Sequence, residues 1–252
     1  MKNGIYSLLR CLRAGDPNSS APLSDKVGFE RHCRAHGVPT PPILATVDPM
    51  GRWLFADDPR TLACDLFAKT LDGRGAVGAH GYRYRGGDTY ATDGNRSLSR
   101  QGMLEAVARR GAGRDMILMP RLVNHPEIAD LADRSLITFR VFTCFDSSEN
   151  PIVTHAMLRT VSKLEVDWET EEEFAAAIDL DTGCLSLMCG DANLSPDAWW
   201  RTHPKTGARV FGRRIAAWPD LAAIAIRAHR AFSGRMIVGW DLAWTPDGPI
   251  AI

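Results

Sequence analysis

Charge of one sign is the first thing this sequence lacks. Lys and Arg number 30, and so do Asp and Glu. A net basic field for nucleic acid is therefore absent, and only a local patch could serve that purpose. No Cys-x-x-Cys pair occurs: the six cysteines, Cys11, Cys33, Cys64, Cys144, Cys184 and Cys189, are scattered. They read as free thiols of a cytosolic protein. No apolar run is long enough to cross a bilayer. The first residues do not form a signal peptide, because Arg10 and Arg13 interrupt them. Internal repeats and low-complexity tracts are missing as well. What remains is the composition of a soluble globular protein, with 45% hydrophobic and 24% charged residues over 252 positions.

The pattern along the chain divides into two blocks. Ile5, Leu8, Leu9 and Leu12 recur at helical spacing and predict a short amphipathic helix docked on the protein's own core. "AGDPNSSAPLS" follows as a turn-rich linker. Ser24 or Asp25 can cap a second helix that ends at Gly37. Strands are expected in "ILATV", "RWLFA", "DLFAK" and "MILMP", with a helix in "LSRQGMLEAVARR". The second block holds stronger strands. "SLITFRVFTCF" and "PIVTHAMLRTV" should pair as a hairpin around "DSSENP". "FAAAIDLDTGCLSLM" reads as two more strands, "WPDLAAIAIRAHRAF" as a helix, and "RMIVGWDLAW" as a strand turning back at Thr245–Gly248. Two such blocks predict an α+β protein with two lobes.

Two nucleotide signatures are also missing. After Lys69 come Gly73, Gly75, Gly78 and Gly81, but the spacing is not that of a P-loop. The following "YRYRGGDTY" reads as strand, which excludes a Rossmann fingerprint. Glycines let backbone N–H groups approach a phosphate, and a lysine at the mouth adds a point charge. The stretch is either a hairpin that closes over a nucleotide or an ordinary mobile hairpin with a surface lysine. Arg140 shares one face of its strand with Thr138 and Phe142, opposite Ile137, Phe139 and Val141. An arginine there needs an anion, in a structural salt bridge or in a ligand. Asp241 interrupts an apolar strand and likewise needs a metal or a cation beside it. His32, Cys33 and His36 read as a solvated helix face, "ETEEEF" as a solvated acidic loop, His203 as a turn residue, and Trp199–Trp200 as core.

Taken in order, five segments resemble one family. "LSDKVGFERHCRAHGVPTPPIL", "DLFAKTLDGRGAVG", "ILMPRLVNHPEIADLADRSLITFRVFT", "HPKTGARVFGRRIAAWPD" and "VGWDLAWTPDGP" are similar to ATP-grasp proteins of the sugar-transfer-associated branch, related to α-L-glutamate-ligase-like proteins. The chain departs from the family pattern at Thr70, where Pro is usual, at Met119, where Gln is common, and in "WETEEEF".

The resemblance implies an ATP-grasp fold whose two lobes clamp a nucleotide, preceded by a short N-terminal helical segment. On that reading residues 1–23 form the helix and linker, and 24–252 the ATP-grasp domain. Within it, about 40–120 is a smaller lobe with the glycine flap, and 121–252 a larger lobe that stops short of the Glu and Asn of the family's metal site. ATP and Mg²⁺ are the implied cofactors. Lys69 would hold phosphates, Gly73, Gly75 and Gly78 would cover them, and the backbone of Met119, Pro120, Arg121 and Leu122 would face adenine. Asp241 would ligate Mg²⁺. Arg140, with Arg159 as a weaker candidate, would meet the γ-phosphate or the substrate carboxylate. The implied activity is carboxylate–amine ligation through an acyl phosphate, with a small-molecule or saccharide-linked acceptor. A nucleotide-binding protein without catalysis, or a phosphotransferase, are the alternatives.

Overall fold

The computed structural model describes residues 12–13, 15–56, 62–71, 79–133, 135–161, 173–190 and 199–252. The helix expected around Ile5, Leu8 and Leu9 and the glycines Gly73, Gly75 and Gly78 lie outside the described residues. Two seven-stranded sheets carry the fold, and its class is α+β.

The first sheet uses β1 (Ala45–Val47), β2 (Trp53–Phe55), β3 (Leu66–Thr70), β4 (His80–Tyr84), β5 (Thr89–Thr92), β6 (Ser97–Ser99) and β7 (Met116–Pro120). Their order is β2-β1-β7-β3-β4-β5-β6. Period-two alternation sorts the central strands. Leu66 and Ala68 of β3, with Met116 and Leu118 of β7, face a core shared with Met103, Leu104 and Val107 of a covering helix. Phe67 and Lys69 point the other way, in register with Met119 and Ile117. The covering helix, Arg100–Gly111, starts where Ser99 accepts a bond from the Gly102 amide at 3.1 Å.

The second sheet uses β8 (Thr138–Phe145), β9 (Pro151–Val161), β10 (Glu173–Ile178), β11 (Leu185–Gly190), β12 (Trp199–Trp200), β13 (Ile237–Thr245) and β14 (Gly248–Ala251). Their order is β12-β11-β10-β9-β8-β13-β14. The helix α3 (Trp218–Ala231) covers one face. Its Leu221, Ala225 and Ala228 share a core with Phe139, Val141, Leu158 and Leu242. The helix Arg100–Gly111, α2 in chain order, serves the first sheet; α1 (Lys26–Ala35) lies beside α3, where Phe29 stacks on Phe232 at 5.4 Å.

Residues 121–137 carry the chain from one sheet to the other. The segment is pinned at both ends. The Arg121 amide donates to Asp65 O at 2.8 Å, and the His125 amide to Trp244 O at 2.8 Å, with the His125 ring stacked on Trp244 at 4.1 Å. Asn124 bonds Ser135 O at 2.9 Å and accepts from the Ile137 amide at 2.8 Å.

The segment expected to be a linker is docked instead of free. Asp16 accepts from Ser233 Oγ at 2.8 Å, and the Asn18 amide group donates to that hydroxyl at 3.0 Å. Arg235 donates to Ser19 O at 3.0 Å. Its turn-rich composition was legible, but its partners are more than 200 positions away and leave no local trace. A side chain at Gly234 would collide with the Ser19 backbone. Gly234→Ala is expected to lower stability by about 1–3 kcal/mol, read as a fall in the urea midpoint. An unchanged midpoint would show that this strap lifts away without cost.

Candidate functional site

Asp25 caps α1 by accepting a bond from the Val27 amide at 3.0 Å. The first helical residue is then Lys26, and no acid follows in the first turn. A lysine there opposes the helix macrodipole, so the end of α1 concentrates positive charge. Lys26 Nζ donates to Leu71 O at 2.7 Å, which ties the helix to the strand end beside Lys69.

Alternation aims Lys69 away from the first sheet's core, toward a cavity of about 260 Å³. The first sheet lines it with Lys69, Ile117 and Met119, α1 with Lys26, Phe29 and Glu30, and β13 with Gly239, Trp240 and Asp241. β14 pairs with β13 from Leu242 to Thr245, and beyond that register the Ile252 amide donates to Asp241 O at 3.0 Å, which brings Ile252 to the cavity wall. Lys69 makes no hydrogen bond or ion pair among the described residues. Burial holds its pKa down at about 8, and the neighbouring Lys26 pushes the same way, while Asp241 pulls upward. Part of the side chain still faces the cavity. A desolvated ammonium with a second one beside it is a site that gains when an anion arrives.

From the second sheet come the ion pairs. Arg140 and Asp241 are direct partners in the β8–β13 register. Arg140 Nε meets Asp241 Oδ1 at 2.6 Å and Nη2 meets Oδ2 at 3.0 Å, a bidentate pair. Arg159 Nη1 stands 3.9 Å from the same carboxylate. Its other nitrogens bond Glu173. Followed contact by contact, from Arg140 to Asp241 to Arg159 to Glu173, the four groups alternate in sign.

The expected site residues thus separate. Lys69, Met119 and Asp241 share the cavity, with Arg140 and Arg159 attached through Asp241. Pro120 ends β7 opposite Leu66. Arg121 turns to the first sheet, bonding Asp93 at 2.8 Å across Gly81. Its amide is engaged by Asp65, whereas the Leu122 amide makes no hydrogen bond among the described residues.

Several readings need correction. Glu173 is not part of a solvated loop: it is 5% exposed and bonded to Arg159. His32 and Cys33 do not form a solvated face. His32 Nε2 bonds Ala231 O at 2.7 Å and its ring packs on Phe232, and Cys33 is buried, which drives its thiol up to about 12. Only His36 of the three is exposed. No cluster of three His, Cys, Asp or Glu suited to a metal occurs among the described residues. The tryptophans split: Trp200 packs edge-on against Phe174, while Trp199 is 48% exposed. His203 is a turn residue as expected, accepting from the Lys205 and Thr206 amides at 3.2 Å. Lys26 and Glu30 were missed. The signal for Lys26 was a lysine directly after a helix cap; Glu30 offered none.

The Lys69 assignment has a stability signature. Its folded pKa of about 8 lies below the ordinary 10.5. Between these values the unfolded chain holds a proton that the folded chain does not, so Lys69 adds stability as pH rises from 8 to 10.5. The difference in unfolding free energy between wild type and Lys69→Met is expected to move toward wild type over that window. A pH-independent difference would place the ammonium in solvent.

A family model described as sugar-transfer associated ATP-grasp matches residues 12–252. No curated protein matches the chain. Among solved structures, the D-Ala:D-Ser ligase VanG of Enterococcus faecalis superposes with a TM-score of 0.51 at 13% identity, covering 93% of this chain and 52% of that one. The biotin carboxylase of Campylobacter jejuni, solved as a βγ-ATP complex, gives 0.51 at 12% identity, covering 91% and 39%. The D-alanine-D-alanine ligase of Coxiella burnetii gives 0.48 at 13%, covering 93% and 48%. The chain thus spans about half the length of these structures, and the likeness is one of fold.

Proposed function

The chain belongs to the sugar-transfer associated ATP-grasp family and is homologous to ATP-grasp enzymes; we propose that it binds ATP between its two sheets and activates a carboxylate for ligation. One observation carries this reading. Lys69 and Lys26 from one side, and the Arg140–Asp241 pair from the other, converge on a single cavity.

In this reading Lys69 and Lys26 take the phosphates, and the polarity of α1 adds to their charge. Met119 packs against the base, and the amide of Leu122, unbonded among the described residues, reads its edge, since Pro120 has no N–H and that of Arg121 is engaged. A carboxylate oxygen of the acid attacks the γ-phosphorus and ADP leaves. An amine or similar acceptor then attacks the acyl carbon and expels phosphate. The side chains contribute position and charge, not covalent chemistry. Arg140 meets charge on the transferring phosphoryl group, and Arg159 orients the acid. Residues 24–252 form this nucleotide-binding unit, split near residue 120 between the smaller and larger lobe.

Asp241 would hold Mg²⁺, which favours a carboxylate combined with phosphate oxygens. The fit is conditional: both carboxylate oxygens now accept from Arg140, so one must be released. When bound, the ion would neutralise phosphate charge. That same pairing favours a second reading, nucleotide binding without ligation. The family description suggests a saccharide-linked acceptor in polysaccharide or glycoconjugate assembly, in the cytoplasm where ATP is supplied. No helix among the described residues is long and apolar enough to cross a membrane.

Two measurements test the reading. Lys69→Ala should weaken ATP affinity by about 1–2 kcal/mol, seen by calorimetry; unchanged affinity in a folded variant sinks the assignment. Hydroxylamine added with ATP and a panel of carboxylic acids should yield hydroxamate, the trapped product of an acyl phosphate. Arg140→Met should cut hydroxamate formation by more than it cuts ATP affinity, because the charge it meets develops during transfer. ADP release without hydroxamate would point to phosphotransfer, and ATP binding without ADP release to the second reading.

A further inference from the structure

The second sheet has one face covered by α3 and, among the described residues, no helix over the Arg140 face, which changes character along its strands. Register places Met157, Arg140 and Asp241 in one row across β9, β8 and β13. The next row is His155, Phe142 and Gly239. The third is Ile152, Cys144 and Ile237. Chemistry therefore passes from charged, through aromatic, to aliphatic, within two same-face steps of about 7 Å each.

The aromatic row is built flat. Phe142 and His155 stack with centroids 4.2 Å apart and planes 18° apart. Gly239 leaves room for them: a Cβ there would lie 3.1 Å from Phe142 Cε1. The aliphatic row is exposed, with Ile152 at 42% and Ile237 at 54%. Isolated exposed isoleucines need no explanation, but two flanking one cysteine in register, next to a ring stack and a charged cavity, form a patch. At the charged end, Lys26, Lys69, Arg140 and Arg159 stand against Glu30, Asp241 and Glu173, which leaves one positive charge in excess.

We propose that this face binds an amphipathic carboxylic acid, its carboxylate in the Arg140–Asp241 row and its apolar body laid over Phe142 toward Ile152 and Ile237. This rests on the ligase reading, for which it names the class of acid. An acid bound this way presents its carboxylate to the cavity where ATP is placed. Phe142, Ile152 and Ile237 are then the specificity-determining residues. Arg159 fits the polar end, since Asp241 and Glu173 hold its guanidinium beside that row.

The probes are straight-chain carboxylates of four to ten carbons and alkylammonium ions of equal length, titrated calorimetrically into the full chain with and without ATP. Affinity for the acids should rise about threefold to fourfold per methylene until the body spans the two steps, then level off. The ammonium ions should bind more weakly at every length. Ile237→Ser and Ile152→Ser should flatten the chain-length dependence at an unchanged melting temperature. Affinity independent of chain length, equal gains for both head groups, or gains that survive both substitutions would overturn the proposal. So would sedimentation showing a dimer that Ile237→Ser dissociates, because the face would then be a subunit interface. ATP binding with no chain-length dependence would overturn the acid subsite and leave the ligase reading standing. Chain-length dependence without ATP binding would overturn the ligase reading and support the subsite.

Discussion

The bidentate pair between Arg140 and Asp241 is the constraint around which the site is arranged. Each charge answers the other directly across the β8–β13 register, on the face opposite the core residues Phe139, Val141 and Leu242, so removing one would leave its partner uncompensated. The pair sits at the open face, with side chains 30% and 37% exposed, so water shares its solvation and the contacts remain exchangeable. A fully buried pair would be locked, since breaking it would leave an uncompensated charge. Here a ligand carrying its own charges can substitute for either partner. The same pairing that matches the two strands therefore also occupies both oxygens of Asp241, the carboxylate that β13 offers the cavity.

The second constraint is desolvation of Lys69. Its strand points it away from the α2-covered core, but α1, β7 and β13 close around it. Without that closure the lysine would be an ordinary surface charge. With it, the ammonium is held near its titration point at mildly basic pH, and in the proposed reading an incoming phosphate would restore the solvation that burial removed. The strap Gly15–Ser20 contributes at a distance. Its bonds to Ser233 and Arg235 anchor the chain just before α1, and so fix where Lys26 stands.

Much of the fold was legible because its signals are local. Alternation in "TFRVFTCF" put Arg140 opposite Phe139 and Val141, and β8 keeps that arrangement. "DSSENP" made a hairpin of β8 and β9, and Pro246–Asp247–Gly248 turned β13 into β14. Asp25 announced α1 as a cap. Glu173 misled for an equally local reason. Four acids in "ETEEE" look solvated as a group, but the last of them is the first residue of a strand, and the arginine that holds it lies 14 positions back on β9. The docked strap misled similarly, since glycine, proline and serine describe a chain that turns without saying what it turns against.

The sequence by itself determined the elements, the faces of the strands, and the need of Arg140, Lys69 and Asp241 for charged company. These follow from short-range sterics and from the cost of burying a charge, both written in neighbouring residues. Tertiary structure alone decided who supplies that company. It matched Arg140 to Asp241 across 101 positions, gave Arg159 to Glu173, left Lys69 facing Lys26, and set the Phe142–His155 stack beside two exposed isoleucines. Register between strands distant in the chain fixes such partnerships, and register depends on how both sheets close over their cores, which no local window of residues encodes.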